Sequence, residues 1–329
     1  MHRVISYVEA VNEALHQILA NPKTMLIGQG VTSPWYVGKA TKGLPEKHPK
    51  RVVDTPTSEN SVAGAALGAA LTGMHPILCF PRMDFMYYAM DQIANHIANW
   101  RFMFGDQHHI PLTIWAIINR GGEQAAQHSQ AAHAIYAHLP TLKVVAPSTP
   151  YDAKGLLHTC ARMDEPVVFV DDRWLYPFHG EVPEEPYDVT FDANIVHNGN
   201  DVTIAASSYM VAQALSTVEP LLHEAGINAE VLDIRCLKPL DTVTLLKSVK
   251  KTGNLVVVDG GWKTCGYAAE VIASVTEKLS VPVARVTLPD TPAPASQKLE
   301  RKYYPDVNKI VDATCKLLKL KPTVTAFPS

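Results

Sequence analysis

Apolar positions recur at helical spacing over residues 7–19 and stop near Asn21-Pro22, which predicts an opening helix. Thr24-Met25-Leu26-Ile27-Gly28 then reads as a short buried strand stopped by glycine. Residues 31–49 carry no period and are rich in Gly, Pro and Lys, so they read as loop. Arg51-Val52-Val53 predicts a second strand, and a helix of almost wholly small residues follows from Glu59 to Ala70. His75 to Phe80 predicts another strand, and 84–102 a long aromatic-rich helix. The β-forming runs 112–118, 142–147 and 167–170 are apolar on both faces, as strands of a parallel sheet are. A helix over 150–161 separates the last two.

Residues 178–191 are rich in Pro and Glu without a period and read as a linker, after which the alternation restarts. Strands are predicted at 202–206, 229–234, 255–259 and 283–286, with helices at 210–225, 241–250, 266–279 and 308–320. Pro322 should end the last helix and leave a loose tail. Strands alternating with helices on both sides of a linker predict two α/β domains, each doubly wound around a mostly parallel sheet, over residues 1–177 and 192–329.

Composition narrows the class. A chain of 329 residues has room for two cores, and 47% hydrophobic with 19% charged residues is ordinary for a globular protein. A net charge of -3 without a basic stripe argues against a nucleic-acid partner. No apolar run approaches the roughly 20 residues that cross a bilayer, and the Met1-His2-Arg3-Val4 start lacks a signal-peptide layout, so a cytoplasmic location is expected. The five cysteines are scattered without a CxxC pair, which favours reduced, buried thiols over a disulfide frame or a zinc site.

Candidate chemistry centres on Asp54-Thr55-Pro56-Thr57-Ser58-Glu59. A strand ends in a Pro-containing turn, and a lone carboxylate opens a helix whose small residues allow another backbone or a flat ring to come close. The helix dipole favours a carboxylate at that end. The plainer reading of Glu59 is a helix-capping carboxylate.

Several blocks, taken in order, resemble the beta subunit of the thiamine-diphosphate-dependent decarboxylase (E1) component of 2-oxo acid dehydrogenase complexes. They are the Asp54–Glu59 block, Asp84-Phe85 with Ala89-Met90-Asp91-Gln92, Gln127-His128-Ser129-Gln130, and Leu142-Lys143-Val144-Val145-Ala146-Pro147. Further blocks are Asp152-Ala153-Lys154-Gly155-Leu156, the 233–241 stretch from Asp233-Ile234-Arg235 to Leu240-Asp241, and Arg285-Val286-Thr287 with Pro289-Asp290-Thr291-Pro292. The likeness is colinear over nearly the whole chain. It implies a transketolase-type pyrimidine-binding domain followed by a transketolase C-terminal domain.

By that resemblance Glu59 matches the glutamate that bonds the coenzyme's aminopyrimidine and activates it. Phe85 matches the aromatic packed on the pyrimidine, with core packing as its plainer role. His128 matches the active-site histidine that serves later steps and transfer to a lipoyl arm, a task suited to imidazole because its pKa lies near neutrality. Gln29 and Thr57 fall beside the coenzyme and Gln127 beside the substrate, while Arg82, where the chain departs from the family, is a candidate for a substrate carboxylate or phosphate. His108, His109, His133 and His138 have no such match.

The family holds the diphosphate through Mg2+ on a Gly-Asp-Gly motif with an Asn about 25 residues on, since a hard cation needs oxygen ligands. Gly105-Asp106 is followed here by Gln107, and no Gly-Asp-Gly occurs. The chain therefore offers a pyrimidine half-site and no metal ligands of its own. An alpha partner should supply Mg2+ and the diphosphate site in an α2β2 heterotetramer, with a lipoyl-bearing acyltransferase as a further partner.

The chain departs from the family at four points. Gln29 stands where an acid is usual and cannot exchange a proton at neutral pH. Cys79-Phe80-Pro81-Arg82-Met83 replaces a stretch that usually begins with Glu, and Arg82 puts a permanent cation near the pocket unless it pairs with Asp84 at the surface. The loop from Arg120 to Ala126 is short, and Met163 lies near a usual aspartate of a monovalent-cation site, so that ion is not expected. Two rival functions stay open: half of a split transketolase-like carboligase acting on an aldehyde, ketone or sugar, and a non-catalytic subunit.

Overall fold

A computed structural model describes residues 2–33 and 35–320 and divides into two compact units that meet at Thr190 and Phe191. The first unit contains β1 (His2–Ser6), α1 (Tyr7–Ile18), β2 (Thr24–Gly28), α2 (Leu44–Lys47), β3 (Val52–Asp54), α3 (Glu59–Leu71) and β4 (His75–Phe80). After a non-α segment come α4 (Trp100–Met103), β5 (Thr113–Ile118), α5 (His133–His138), β6 (Lys143–Val145), α6 (Pro150–Arg162), β7 (Val167–Asp172) and β8 (His179–Pro183).

Strands of this unit pair in parallel in the order β6–β7–β5–β4–β2–β3. Every residue of β5 and β7 is buried, as their unbroken apolar runs demand. Helix α1 buries Tyr7, Val11, Ala14, Leu15 and Ile18 on one stripe, and its first turn is fixed by a capping box between Ser6 and Glu9. Gly28 on β2 faces Cys79 on β4, and a Cβ at Gly28 would lie 2.4 Å from the Cys79 carbonyl oxygen. Only glycine allows that approach.

Several expectations need correction here. The long helix over 84–102 is instead a 3₁₀ helix (Met83–Ala89), a π-helical stretch (Asp91–Ile97) and the single turn α4. Met83, Met86 and Ala89 are buried every third residue, a spacing that suits 3₁₀ geometry and that a sequence pattern does not separate from an α-helix. The loop over 31–49 contains the turn α2. Residues 178–191 hold β8, which pairs antiparallel with β1, a strand without any apolar period of its own. All five cysteines are free; four are buried, but Cys265 is exposed.

The second unit contains β9 (Asn194–His197), β10 (Val202–Ala206), α7 (Tyr209–Leu215), α8 (Val218–Ala225), β11 (Ala229–Asp233), β12 (Cys236–Lys238) and α9 (Thr242–Thr252). It closes with β13 (Leu255–Trp262), α10 (Tyr267–Thr276), β14 (Val283–Leu288), α11 (Gln297–Tyr303) and α12 (Val307–Leu317). Strands β14, β13, β10 and β11 are parallel neighbours, and β9 joins the β11 edge antiparallel. Val202, Ile204, Val231, Val256 and Val258 form the sheet's part of a core shared with Ile310 and Val311 of α12. The single helix expected over 210–225 is broken at Ser216-Thr217, because Pro220 has no N–H to give and crowds the carbonyl four residues back. The tail after Pro322, expected to be loose, lies outside the described residues. No helix among the described residues is long and apolar enough to cross a membrane.

A buried ion pair closes the end of the first sheet. Arg120, after β5, donates to Asp172 at the end of β7 at 2.6 Å, with both side chains almost wholly out of solvent. The Arg120 guanidinium also lies 5.4 Å from the centre of the Trp174 ring. Arg120→Met would strand the Asp172 carboxylate in the core, and is expected to cost about 3–5 kcal/mol in urea denaturation. The double variant Arg120→Met/Asp172→Leu should recover most of that loss. Equal losses in both would place the cost elsewhere.

Candidate active site

The carboxyl ends of four neighbouring parallel strands deliver the candidate residues to one place, where α/β sheets hold their ligands. Gln29 follows β2, Thr57 and Glu59 follow β3, Arg82 follows β4, and His128 comes after the loop that leaves β5. With Phe85, Tyr36 and Tyr88 they line a cavity of about 550 Å³, within the range of small-molecule and cofactor pockets.

Glu59 is the first residue of α3, and the N-cap position belongs to Ser58. No side chain caps this helix, so the capping reading of Glu59 does not describe it. The carboxylate borders the main cavity and also a crevice behind it, lined by Val62, Leu78 and Phe80 among others. That crevice holds only about 10 Å³, at the limit for a single water. Small residues make the setting tight: a Cβ on Gly64 would lie 3.3 Å from Gln92 of the π-helical stretch.

Gln29 Nε2 donates to Thr57 Oγ1 at 2.7 Å, tying the ends of β2 and β3 together beside Glu59. Asp54 accepts from the Gly30 backbone N–H at 2.8 Å and from Thr32, bonds that outweigh its burial and hold its carboxyl below the ordinary range. Gly30 has φ +69°, and a Cβ there would sit 2.1 Å from the Tyr36 ring, so this glycine is what lets Tyr36 reach the cavity.

Phe85 and His128 meet edge to face, with ring centroids 5.4 Å apart and an interplanar angle of 81°. Burial and the nearby Arg82 charge both push the His128 pKa down, so at neutral pH the imidazole is uncharged and keeps a lone pair for a proton. The loop carrying His128 is held from below. Asp84 accepts from the Gln130 backbone N–H at 3.1 Å, and Tyr87 donates to Gln130 Oε1 at 3.0 Å. Burial raises the Asp84 pKa to about 6.

Arg82 is half-buried and does not form a surface pair with Asp84. It donates to the Pro81 carbonyl at 3.3 Å and to Gln124 Oε1 at 3.5 Å, and lies 5.9 Å from the centre of the Tyr36 ring. Gln127 is exposed and is not among the residues lining the cavity.

Tyr36, Tyr88 and Gln124 were not singled out from the sequence. Tyr36 lies in an aperiodic loop, where the Trp35-Tyr36 aromatic pair was the available signal. Gln124 lies between two non-glycine residues with left-handed backbone, Glu123 at φ 62° and Ala125 at φ 57°, a geometry that no residue type announces.

The donor set fits one half of thiamine diphosphate. A carboxylate, a flat aromatic face and neutral hydrogen-bonding groups suit an aminopyrimidine. Among the described residues no cluster of three or more His, Cys, Asp or Glu side chains could hold a metal, and Asp106 is ion-paired with Arg101.

Residues 3–179 match the transketolase pyrimidine-binding domain, and residues 192–310 match the transketolase C-terminal domain. The fold and site thus define a subunit of the transketolase-like, thiamine-diphosphate-dependent class. The chain is 42% identical to the acetoin:2,6-dichlorophenolindophenol oxidoreductase subunit beta of Cupriavidus necator, over 97% of this chain and 99% of the relative. It is 37% identical to the pyruvate dehydrogenase E1 component subunit beta of Rickettsia felis, over 95% of this chain and 98% of the relative. The chain belongs to the family of beta subunits of thiamine-diphosphate-dependent 2-oxo acid dehydrogenase E1 components. A split-gene transketolase, solved as an inactive beta4 tetramer, shares the fold with a TM-score of 0.80 at 24% identity, over 96% of this chain and 99% of that one.

Proposed function

We propose that this cavity is the pyrimidine half of a thiamine-diphosphate site, completed by an alpha partner that brings the diphosphate-binding residues and Mg2+. When bound, the coenzyme supplies a carbon nucleophile that decarboxylates a 2-oxo acid. Glu59 holds and releases a proton at the N1′ nitrogen of the aminopyrimidine. The crevice behind Glu59 has room for about one water at most. Phe85 presents a flat face to the ring, while Gln29 and Thr57 supply neutral hydrogen bonds beside it. His128, uncharged at neutral pH, takes a proton during the later steps and returns it.

The observation that carries this reading is the meeting of Glu59, Phe85 and His128 in one cavity. It also speaks against a non-catalytic subunit, which would have no use for all three. In an α2β2 assembly the acyl fragment passes to a lipoyl-bearing acyltransferase. The test is an acceptor assay on the chain assembled with its alpha partner. Reductive acylation of a lipoyl domain in the presence of a 2-oxo acid is expected. A new carbon–carbon bond to an added aldehyde, with no lipoyl acylation, would replace the dehydrogenase reading with a carboligase.

A further inference from the structure

The Arg82 guanidinium is a permanent charge, half-buried in the cavity wall, whose hydrogen-bond acceptors are both neutral. Among the described residues it has no carboxylate at ion-pairing distance, and its Nε is buried without an acceptor. Asp84, two residues on, accepts from the backbone of Gln130 and offsets part of the Arg82 charge without pairing with it. A second cation stands close by: Arg173 donates to the backbone carbonyl of Tyr36, the residue on which Arg82 stacks. Burial and the Arg173 charge both act against Arg82, lowering its pKa. A half-buried guanidinium that faces a cavity and has no carboxylate at pairing distance is a ready site for an oxyanion.

The side chain is nonetheless held in place. Tyr36 supplies an aromatic face on one side. Gln124 supplies an acceptor oxygen on the other and is itself fixed by Asn119 Nδ2 at 2.9 Å. Gln124 sits in the short loop whose backbone turns left-handed at Gly121, Gly122, Glu123 and Ala125. Tyr36 and Gln124 are positioning residues for a cation that faces the same space as Glu59 and His128.

The carboxylate that leaves as carbon dioxide is a poor match for this cation. Its negative charge flows away as the bond breaks, so a cation bound to it stabilises the starting state more than the transition state and slows the reaction. A negative group that survives the reaction carries no such penalty.

We propose that Arg82 binds an oxyanion retained on the substrate, a carboxylate or phosphate on the fragment kept after bond cleavage. The natural substrate is then an anion beyond its reacting carboxyl or carbonyl group, unlike pyruvate or a neutral hydroxyketone. The assignment depends on the coenzyme reading only in placing the reacting centre in this cavity.

The test uses the chain assembled with its alpha partner and loaded with coenzyme. Calorimetry reads binding of glutarate and of inorganic phosphate, and steady-state kinetics compare 2-oxoglutarate, fructose 6-phosphate and pyruvate. Glutarate and 2-oxoglutarate report the carboxylate source, and phosphate and fructose 6-phosphate the phosphate source. Arg82→Met is expected to weaken binding of the preferred oxyanion about tenfold to a hundredfold, the worth of charge-assisted hydrogen bonds. It should lower kcat/KM for the matching substrate by a similar factor relative to pyruvate, and Arg82→Lys should recover part of both. Equal oxyanion binding by wild type and Arg82→Met would overturn the proposal. So would a preference for pyruvate over both anionic substrates, or a loss of coenzyme affinity in Arg82→Met, which would assign the cation to the coenzyme's own diphosphate. Coenzyme binding that depends on Glu59 is measured separately, so failure of the coenzyme reading and failure of the Arg82 assignment give different results.

Discussion

Glu59→Gln is expected to slow deuterium exchange at C2 of bound thiamine diphosphate by about 100- to 10,000-fold, the usual worth of a positioned acid–base group. The amide has the volume and shape of the carboxylate but cannot take up a proton, so the change isolates proton exchange from packing. Helix α3 should form unchanged, because no side-chain cap is lost and Ala63, Ala66, Leu67 and Ala70 still carry its buried face. The measurement is acid-quenched exchange followed by proton NMR on the assembled enzyme, with circular dichroism as the control for folding. Exchange at the original rate would remove Glu59 from the activating role. Loss of coenzyme binding with exchange intact in the bound fraction would make it an anchoring residue only.

The second large effect concerns the missing half of the site. Alone, the chain is expected to bind thiamine diphosphate on the order of a thousandfold more weakly than when assembled with its alpha partner, a difference of about 4 kcal/mol. Stacking on Phe85 and hydrogen bonds near Glu59 reach the pyrimidine, but among the described residues no acidic cluster exists to hold a cation against a diphosphate. A chelator provides the cross-check. It should release coenzyme from the assembled protein and leave the weak binding of the isolated chain unchanged. Tight, chelator-sensitive binding by the chain alone would defeat the half-site interpretation.

Much of the fold was legible in the sequence because parallel strands buried on both faces write themselves as unbroken apolar runs. The 113–118 and 167–172 strands are of this kind, and so are β10 and β11 of the second unit. Edge and short strands left no such mark. The pair His2–Ser6 and His179–Pro183 was missed because its β8 strand is partly exposed and rich in polar residues, so its pairing depends on a partner far away in the chain. The aromatic helix failed for a different reason. Apolar residues at spacings of three and four are compatible with α, 3₁₀ and π geometry alike. What selects among them is packing against α3 and the need to place Asp84 under Gln130 and Phe85 against His128.

The site divides in the same way. Glu59, Phe85, His128, Gln29 and Thr57 were picked out by the likeness of their blocks to the family, and all five line one cavity. Gln127 was read from the same motif as His128 yet is exposed, because it sits in a turn whose direction the sequence does not give. By itself the sequence determined the chemistry on offer: one carboxylate at a helix start, an aromatic, an imidazole, and no metal-binding motif for a diphosphate. These depend on residue type and local spacing, which a chain carries before it folds. Only the tertiary structure decided that Arg82 faces the cavity and not Asp84, and that Tyr36 and Gln124 hold it there. Those contacts join segments more than forty residues apart, and loop backbone geometry sets their directions.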